Sequence, residues 1–199
     1  MDIYPKEVME LRQRTNAGMM DCKKALIEAG GDMERAATIL REKGIATAAK
    51  RASRATNQGY IAVYIHPGSK LAAMVEVNCE TDFVARNEKF QEFAHSLAMH
   101  IAATNPLSIS EQDIDPVVVE KERDIYRSQA LNEGKKPEFV EKIVDGRLKK
   151  FYKENCLLNQ IYVRDEAKKT TIKDMLNDLI AAIGENIQIG RFIRYQIGA

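Results

Sequence analysis

Apolar residues recur at helical spacing along the first 44 positions, in three short runs separated by chain breakers. Tyr4, Val8 and Leu11 share one face before Thr15-Asn16-Ala17-Gly18 interrupts them. Met19, Met20, Cys22, Ala25, Leu26 and Ala29 form the second run, which Gly30-Gly31 ends. Asp32 caps a third, with Met33, Ala36, Ala37 and Leu40 at i, i+3, i+4 and i+7, and Gly44 is expected to stop it. So small a bundle is marginal alone and should dock on the rest of the chain or stay mobile. Positions 45–55 are alanine-rich with Lys50, Arg51 and Arg54 interspersed, which predicts a helical linker whose basic residues face solvent.

After Asn57-Gln58-Gly59 the period changes to two. Tyr60 to Ile65, a His66-Pro67-Gly68-Ser69 turn and Leu71 to Val77 read as a β-hairpin. Phe90, Phe93, Ala94, Leu97, Ala98 and Ile101 then make a helical stripe that ends before Asn105-Pro106. Two helices are predicted over 117–132 and 138–152, split by the turn Asn132 to Pro137. Their apolar positions are Val118, Ile125 and Tyr126 in one and Val140, Ile143, Val144, Leu148 and Phe151 in the other, an antiparallel helical hairpin. Its many charges are those of a solvated projection. A short strand is expected at Ile161-Tyr162-Val163. A helix follows with Thr171 and Asp174 as an approximate capping box and Ile172, Met175, Leu176, Leu179, Ile180 and Ile183 along its stripe. A last strand places Ile187, Ile189, Ile193, Tyr195 and Ile197 on alternating positions. Three or four strands with helices on one face make an α+β core.

The stretch Asn78-Cys79-Glu80-Thr81-Asp82-Phe83-Val84-Ala85-Arg86-Asn87 stands between the hairpin and the next helix. Thr81 suits the free N–H groups of a first helical turn, and Asp82 the positive end of its dipole. Phe83 therefore falls at a strand-to-helix junction, as a plug for the protein's own core or as a wedge for another protein.

Composition narrows the function classes. In 199 residues, 30 basic against 29 acidic side chains give a net charge of +1, so no global electrostatic case for nucleic-acid binding exists. Apolar runs fall far short of the roughly 20 residues that cross a bilayer, and the segment Met1 to Glu7 lacks the pattern of a signal peptide. Cys22, Cys79 and Cys156 are odd in number and far apart, which argues for a reducing, cytoplasmic setting. His95 and His100 are five apart and do not share a helix face as a metal pair would, and no Cys pair has ligand spacing. No glycine-rich phosphate loop occurs. Cys79 has no histidine nearby in sequence to activate it, and Asp82 no second polar partner as a general base. The expectation is a protein that is not an enzyme and holds no cofactor or metal.

Two segments carry a family resemblance. Leu11-Arg12-Gln13-Arg14-Thr15-Asn16-Ala17-Gly18-Met19-Met20-Asp21-Cys22-Lys23-Lys24-Ala25-Leu26 resembles the N-terminal signature of the elongation factor Ts family, and Glu76 to Asn87 resembles its core signature. The order of elements agrees over essentially the whole chain, down to the closing Gly190-Arg191-Phe192-Ile193-Arg194-Tyr195. Asn16 stands where the family usually has glycine, and asparagine tolerates the left-handed conformation best among the others.

The resemblance implies an α+β fold in three parts: a UBA-like three-helix bundle over 1–44, a linker helix over 45–58, and a small antiparallel-sheet core over 59–199. The helical hairpin, at about 116–153, projects from that core. It implies guanine-nucleotide exchange on elongation factor Tu, with Phe83 inserting between helices of the GTPase and Asp82 displacing the elements that support its Mg²⁺. Thr81 and Val84 would shape the presenting turn, and Arg12, Met19, Met20 and Lys23 would form a second contact surface. The core sheet and C-terminal strand would be a third. Long family members carry two related core subdomains and this chain has room for one, so a homodimer is implied, with no direct nucleic-acid or membrane partner. On the residues alone, Met19 and Met20 also suit core filling, with one of the pair facing out. A UBA-like adaptor and an RNA-binding translation factor remain rival readings.

Overall fold

The computed structural model describes residues 3–15 and 17–198; Asn16, the position that departs from the family pattern, lies outside the described residues. Three helices open the chain: α1 (Pro5–Thr15), α2 (Met19–Glu28) and α3 (Met33–Arg51). Gly30 and Gly31, at φ 68° and 88°, turn the chain out of α2, and the Gly31 N–H returns to Leu26 O at 2.9 Å. Asp32 then caps α3, its carboxylate accepting from the N–H groups of Glu34 and Arg35. Val8, Leu11, Cys22, Ala25, Leu26, Ala29 and Ala36 close a core between the three helices. Tyr4 stays exposed, as do both Met19 and Met20, at 41% and 62%; neither methionine fills the bundle.

Gly44 does not stop α3. The helix runs on to Arg51 because Gly44 is buried against α8 (Ile172–Ile183), where a Cβ would lie 3.6 Å from that of Ala181. Close packing outweighs the roughly 1 kcal/mol that glycine costs in a helix interior. Lys50 and Arg54 are exposed as expected. Arg51 is half-buried instead, its Nη1 donating to Ile180 O at 3.3 Å near the end of α8.

The strands β1 (Gln58–Ile65), β2 (Leu71–Cys79) and β3 (Ile187–Gln196) form one sheet in the order β1-β2-β3. Bonds from His66 N to Leu71 O and from Ile197 N to Lys70 O set an antiparallel register on both sides of β2. Ala62, Ala73, Val75, Val77 and Cys79 are buried on one face, and Met74 is exposed on the other, beside Ile61 and Val63 of β1. The alternation in β3 slips by one residue. Ile187 and Ile189 are buried, whereas Ile193, Tyr195 and Ile197 are exposed. Gly190 and Arg191 both reach the same face: a Cβ on Gly190 would meet Asn78 Nδ2 at 2.8 Å, and Arg191 Nε donates to Glu76 Oε2 at 2.8 Å. The burial pattern of β3 changes phase after Ile189, and the single face expected for β3 becomes two.

α4 (Asp82–Ala85) and α5 (Glu88–Thr104) follow β2. The stripe Phe90, Phe93, Ala94, Leu97, Ala98 and Ile101 is buried along α5 as its spacing predicts. Two compact units divide the chain: one holds the residues through Tyr64 with Ala73–Ala98 and Asp174–Ile193, the other Ile65–Ala72, Met99–Lys173 and the residues from Arg194 onward.

The second unit is built on α6 (Pro116–Asn132) and α7 (Pro137–Asn155), the predicted hairpin. Each helix starts on proline at its first turn, and Gly134, at φ 73°, makes the reversal between them. Ala130, Val140, Val144 and Leu148 form its seam with Val119, Tyr126 and Ile143, so Val119 faces α7 while Val118 and Ile125 point out. Ion pairs such as Arg123–Asp145 and Arg147–Glu133 lie on its surface, each worth at most about 1 kcal/mol. The strand expected at Ile161-Tyr162-Val163 is a single bridge, Ile161 to Thr171, because the Asp165 carboxylate gathers the N–H groups of Ala167, Lys169 and Thr170 into a turn.

His100 ties the end of α5 to the segment 160–163 within this unit. It is fully buried; its Nδ1 accepts the Val163 N–H at 3.2 Å, which leaves the proton on Nε2, 3.0 Å from Gln160 Oε1. Burial lowers its pKa from the usual imidazole value. A second proton would have to go on Nδ1, against the Val163 N–H. The neutral ring therefore stabilises the fold above about pH 6.5, and that contribution is lost as pH falls below the value of a free imidazole. Between pH 7.5 and 5, the urea midpoint of the wild type should drop more than that of His100→Gln. Equal drops would show that His100 does not govern the acid limit.

Candidate functional site

The stretch from Asn78 to Asn87 folds into one tight turn between β2 and α5. Thr81 leaves the strand in extended conformation and caps α4, its Oγ accepting from the Val84 N–H at 3.4 Å. Ala85 is buried and anchors the far side of the turn, helped by Gln91 Nε2, which donates to Ala85 O at 3.1 Å. Asn87 caps the next helix by accepting the Lys89 N–H at 3.0 Å and the Phe90 N–H at 3.4 Å. Between these fixed points Val84 is half-buried, Asp82 pairs with Arg86 at 2.8 Å, and Phe83 stands 79% exposed. Phe83 does not plug the protein's own core.

Cys79 is fully buried beneath the turn, its Sγ donating to Thr81 O at 3.1 Å. Burial, with the Glu185 carboxylate adding to it, pushes the thiol up to about 11. At neutral pH it is a packed thiol, not a nucleophile. Cys22 and Cys156 are likewise buried, and burial raises both thiols.

The turn is held by residues that the sequence pattern did not single out. Glu185, between α8 and β3, accepts the N–H groups of Glu80 and Thr81 on Oε2 at 3.1 and 3.0 Å, and the Thr81 hydroxyl on Oε1 at 2.7 Å. Glu80 returns the contact by accepting the Asn186 N–H at 2.6 Å. That bond, and then Arg54, hold the Glu80 carboxyl below the usual carboxylate range. Buried Asn186 donates from Nδ2 to Arg54 O at 2.7 Å. The one local signal was a Gly184-Glu185-Asn186 run, polar residues wedged between a helix-ending glycine and an apolar strand.

Of the sequence-predicted residues, Thr81, Asp82, Phe83 and Val84 come together on this one turn. Arg12 lies exposed on α1, and Met19, Met20 and Lys23 are exposed on α2, where Met19 and Lys23 share a face at i, i+4. Among the described residues no group of three or more His, Cys, Asp or Glu side chains is placed to hold a metal ion, and no helix is long and apolar enough to cross a membrane.

The chain is similar to known proteins over nearly its whole length. The family pattern described as elongation factor TS matches residues 32–170. The chain is 58% identical over 199 residues to elongation factor Ts of Nitratidesulfovibrio vulgaris, covering 100% of this chain and 98% of that protein. It is 57% identical over 196 residues to elongation factor Ts of Thermoanaerobacter sp. strain X514, covering 98% of this chain and 95% of that protein. It is 54% identical over 196 residues to elongation factor Ts of Carboxydothermus hydrogenoformans, covering 98% of this chain and 89% of that protein.

Proposed function

The chain belongs to the elongation factor Ts family, and from that premise we propose that it is the guanine-nucleotide exchange factor of elongation factor Tu, promoting GDP release and GTP loading during translation elongation. Exchange makes and breaks no covalent bond. The factor binds the nucleotide-free GTPase better than the GDP form, and by linkage it weakens GDP by the same factor that GDP weakens it.

The observation that carries the reading is Phe83, 79% exposed on a turn whose backbone is held on both sides. Its ring enters between helices of the GTPase, and Asp82 beside it displaces the elements that support the nucleotide's Mg²⁺. A 10³-fold loss of GDP affinity needs about 4 kcal/mol of coupling, at the upper end of what one interface hot spot supplies. Arg12, Met19, Met20 and Lys23, exposed on the N-terminal bundle, form a second contact surface. The test is release of mant-GDP from elongation factor Tu under excess unlabelled GDP. Acceleration by substoichiometric amounts of the chain supports the proposal, and an unchanged release rate overturns it.

Two copies of the chain pair through the uncovered face of the sheet. Ile61, Val63, Met74 and Ile193 are exposed on the face that also carries the Glu76–Arg191 pair, and contiguous apolar surface on a soluble protein marks an interface. Light scattering should report twice the 22.5 kDa chain mass at micromolar concentration. A mass of 22.5 kDa would rule out the pairing. The role belongs to the cytoplasm, where translation runs, and three unpaired, buried cysteines suit that compartment.

A further inference from the structure

We propose that Glu185 is a positioning residue for nucleotide release, setting the direction in which Phe83 is presented; this rests on the reading of Asp82 and Phe83 as the working edge. α4 has four residues, far too few to hold a helical conformation by themselves. Phe83, at 79% exposure, has too little of its own surface packed to fix its direction. Ala85 and Asn87 anchor the far side of the turn, so on the near side the ring is aimed by whatever holds the two residues that lead in.

Glu185 holds both. A carboxylate is an acceptor only. Its Oε2 takes the N–H groups of Glu80 and Thr81, which fixes the peptide planes entering α4. Its Oε1 obliges the Thr81 hydroxyl to donate at 2.7 Å, which leaves the oxygen lone pairs to the Val84 N–H. One side chain thus sets the backbone before the turn and, through Thr81, the cap of the turn itself. Charge-assisted bonds of this kind are about twice as strong as neutral ones. The reciprocal bond from the Asn186 N–H to Glu80 Oε1 at 2.6 Å prevents the two segments from sliding past each other. Glu185 does not touch the nucleotide or the reacting partner in this scheme; it acts through Phe83.

A glutamine at this position keeps an oxygen for the two N–H groups, but its amide nitrogen would donate to Thr81 Oγ and reverse that hydroxyl. The experiment compares wild type, Glu185→Gln and Glu185→Ala, each with Phe83 and with Phe83→Ala, in mant-GDP release from elongation factor Tu. Thermal midpoints of all six proteins are measured alongside. With Phe83 present, Glu185→Ala should lower the maximal release rate about tenfold or more, and Glu185→Gln should recover part of it. On the Phe83→Ala background the same change should cost clearly less, because of the two working-edge residues only Asp82 remains to be displaced. An equal loss on both backgrounds overturns the proposal, since a general weakening of the fold would add in both. Wild-type rates in Glu185→Ala also overturn it. If wild type releases GDP no faster than the GTPase alone, the exchange reading itself fails and takes this one with it. If Glu185→Ala melts below the assay temperature, Glu185→Gln decides by the same comparison of backgrounds.

Discussion

Phe83→Ala should slow the accelerated release of GDP from elongation factor Tu by roughly 30- to 1,000-fold at a fixed concentration of the factor. The range corresponds to about 2–4 kcal/mol, the cost of truncating an aromatic anchor at the centre of an interface. The folded chain should hardly register the change. Phe83 is 79% exposed and its neighbours in the turn are held by backbone bonds, so its loss should alter unfolding free energy by no more than about 0.5 kcal/mol. The two readings together are diagnostic: release lost, stability kept. Acceleration equal to that of the wild type would remove Phe83 from the working edge and leave its exposure without an explanation.

Phe90→Ala should do the reverse. Seven residues further on, Phe90 is fully buried in the first turn of α5, the largest fully buried side chain among the described residues. Truncating a buried phenylalanine costs about 3–5 kcal/mol, from transferred area and the cavity left behind. Against the 5–15 kcal/mol that typically holds a domain, this is a large fraction. The urea midpoint should fall sharply. At a low temperature where the variant stays folded, GDP release should remain within a few-fold of the wild type, because the turn that presents Phe83 is anchored by Ala85, Asn87 and Glu185 rather than by this ring. A variant with an unchanged midpoint would contradict the packing described for α5.

The contrast between these two phenylalanines shows what local pattern can and cannot read. Phe90 belonged to a stripe of apolar residues at helical spacing, and the stripe is buried as a whole. Phe83 had no stripe to belong to, so position alone left it open as plug or wedge. Three errors share one cause, a local signal overruled by a distant contact. Gly44 read as a helix stop, yet α3 needs it to approach α8. Residues 187–197 read as one alternating face, yet the burial pattern changes phase after Ile189, where Gly190 and Arg191 lie against Asn78 and Glu76 of β2. Val118 read as the seam of the hairpin, where Val119 takes the place. Glu185 left the faintest trace, because its meaning lies in bonds to residues 104 and 105 positions earlier. The turn's sequence announces where the chain bends, and the residue that holds it there comes from the far end of the fold.

The burial of the three native thiols has a practical consequence. With the Cys79 thiol pushed up to about 11, far less of it is thiolate at pH 7 than the few per cent of an ordinary exposed cysteine. Cys22 and Cys156 are equally enclosed and shifted the same way. A maleimide dye added to the native chain should therefore find little to react with. A single cysteine introduced at exposed Arg86 would become the preferred handle, three residues from Phe83. The protein comes already silenced for site-specific fluorescence, and the approach of the turn to its GTPase can be followed in time without first removing any native side chain from the core.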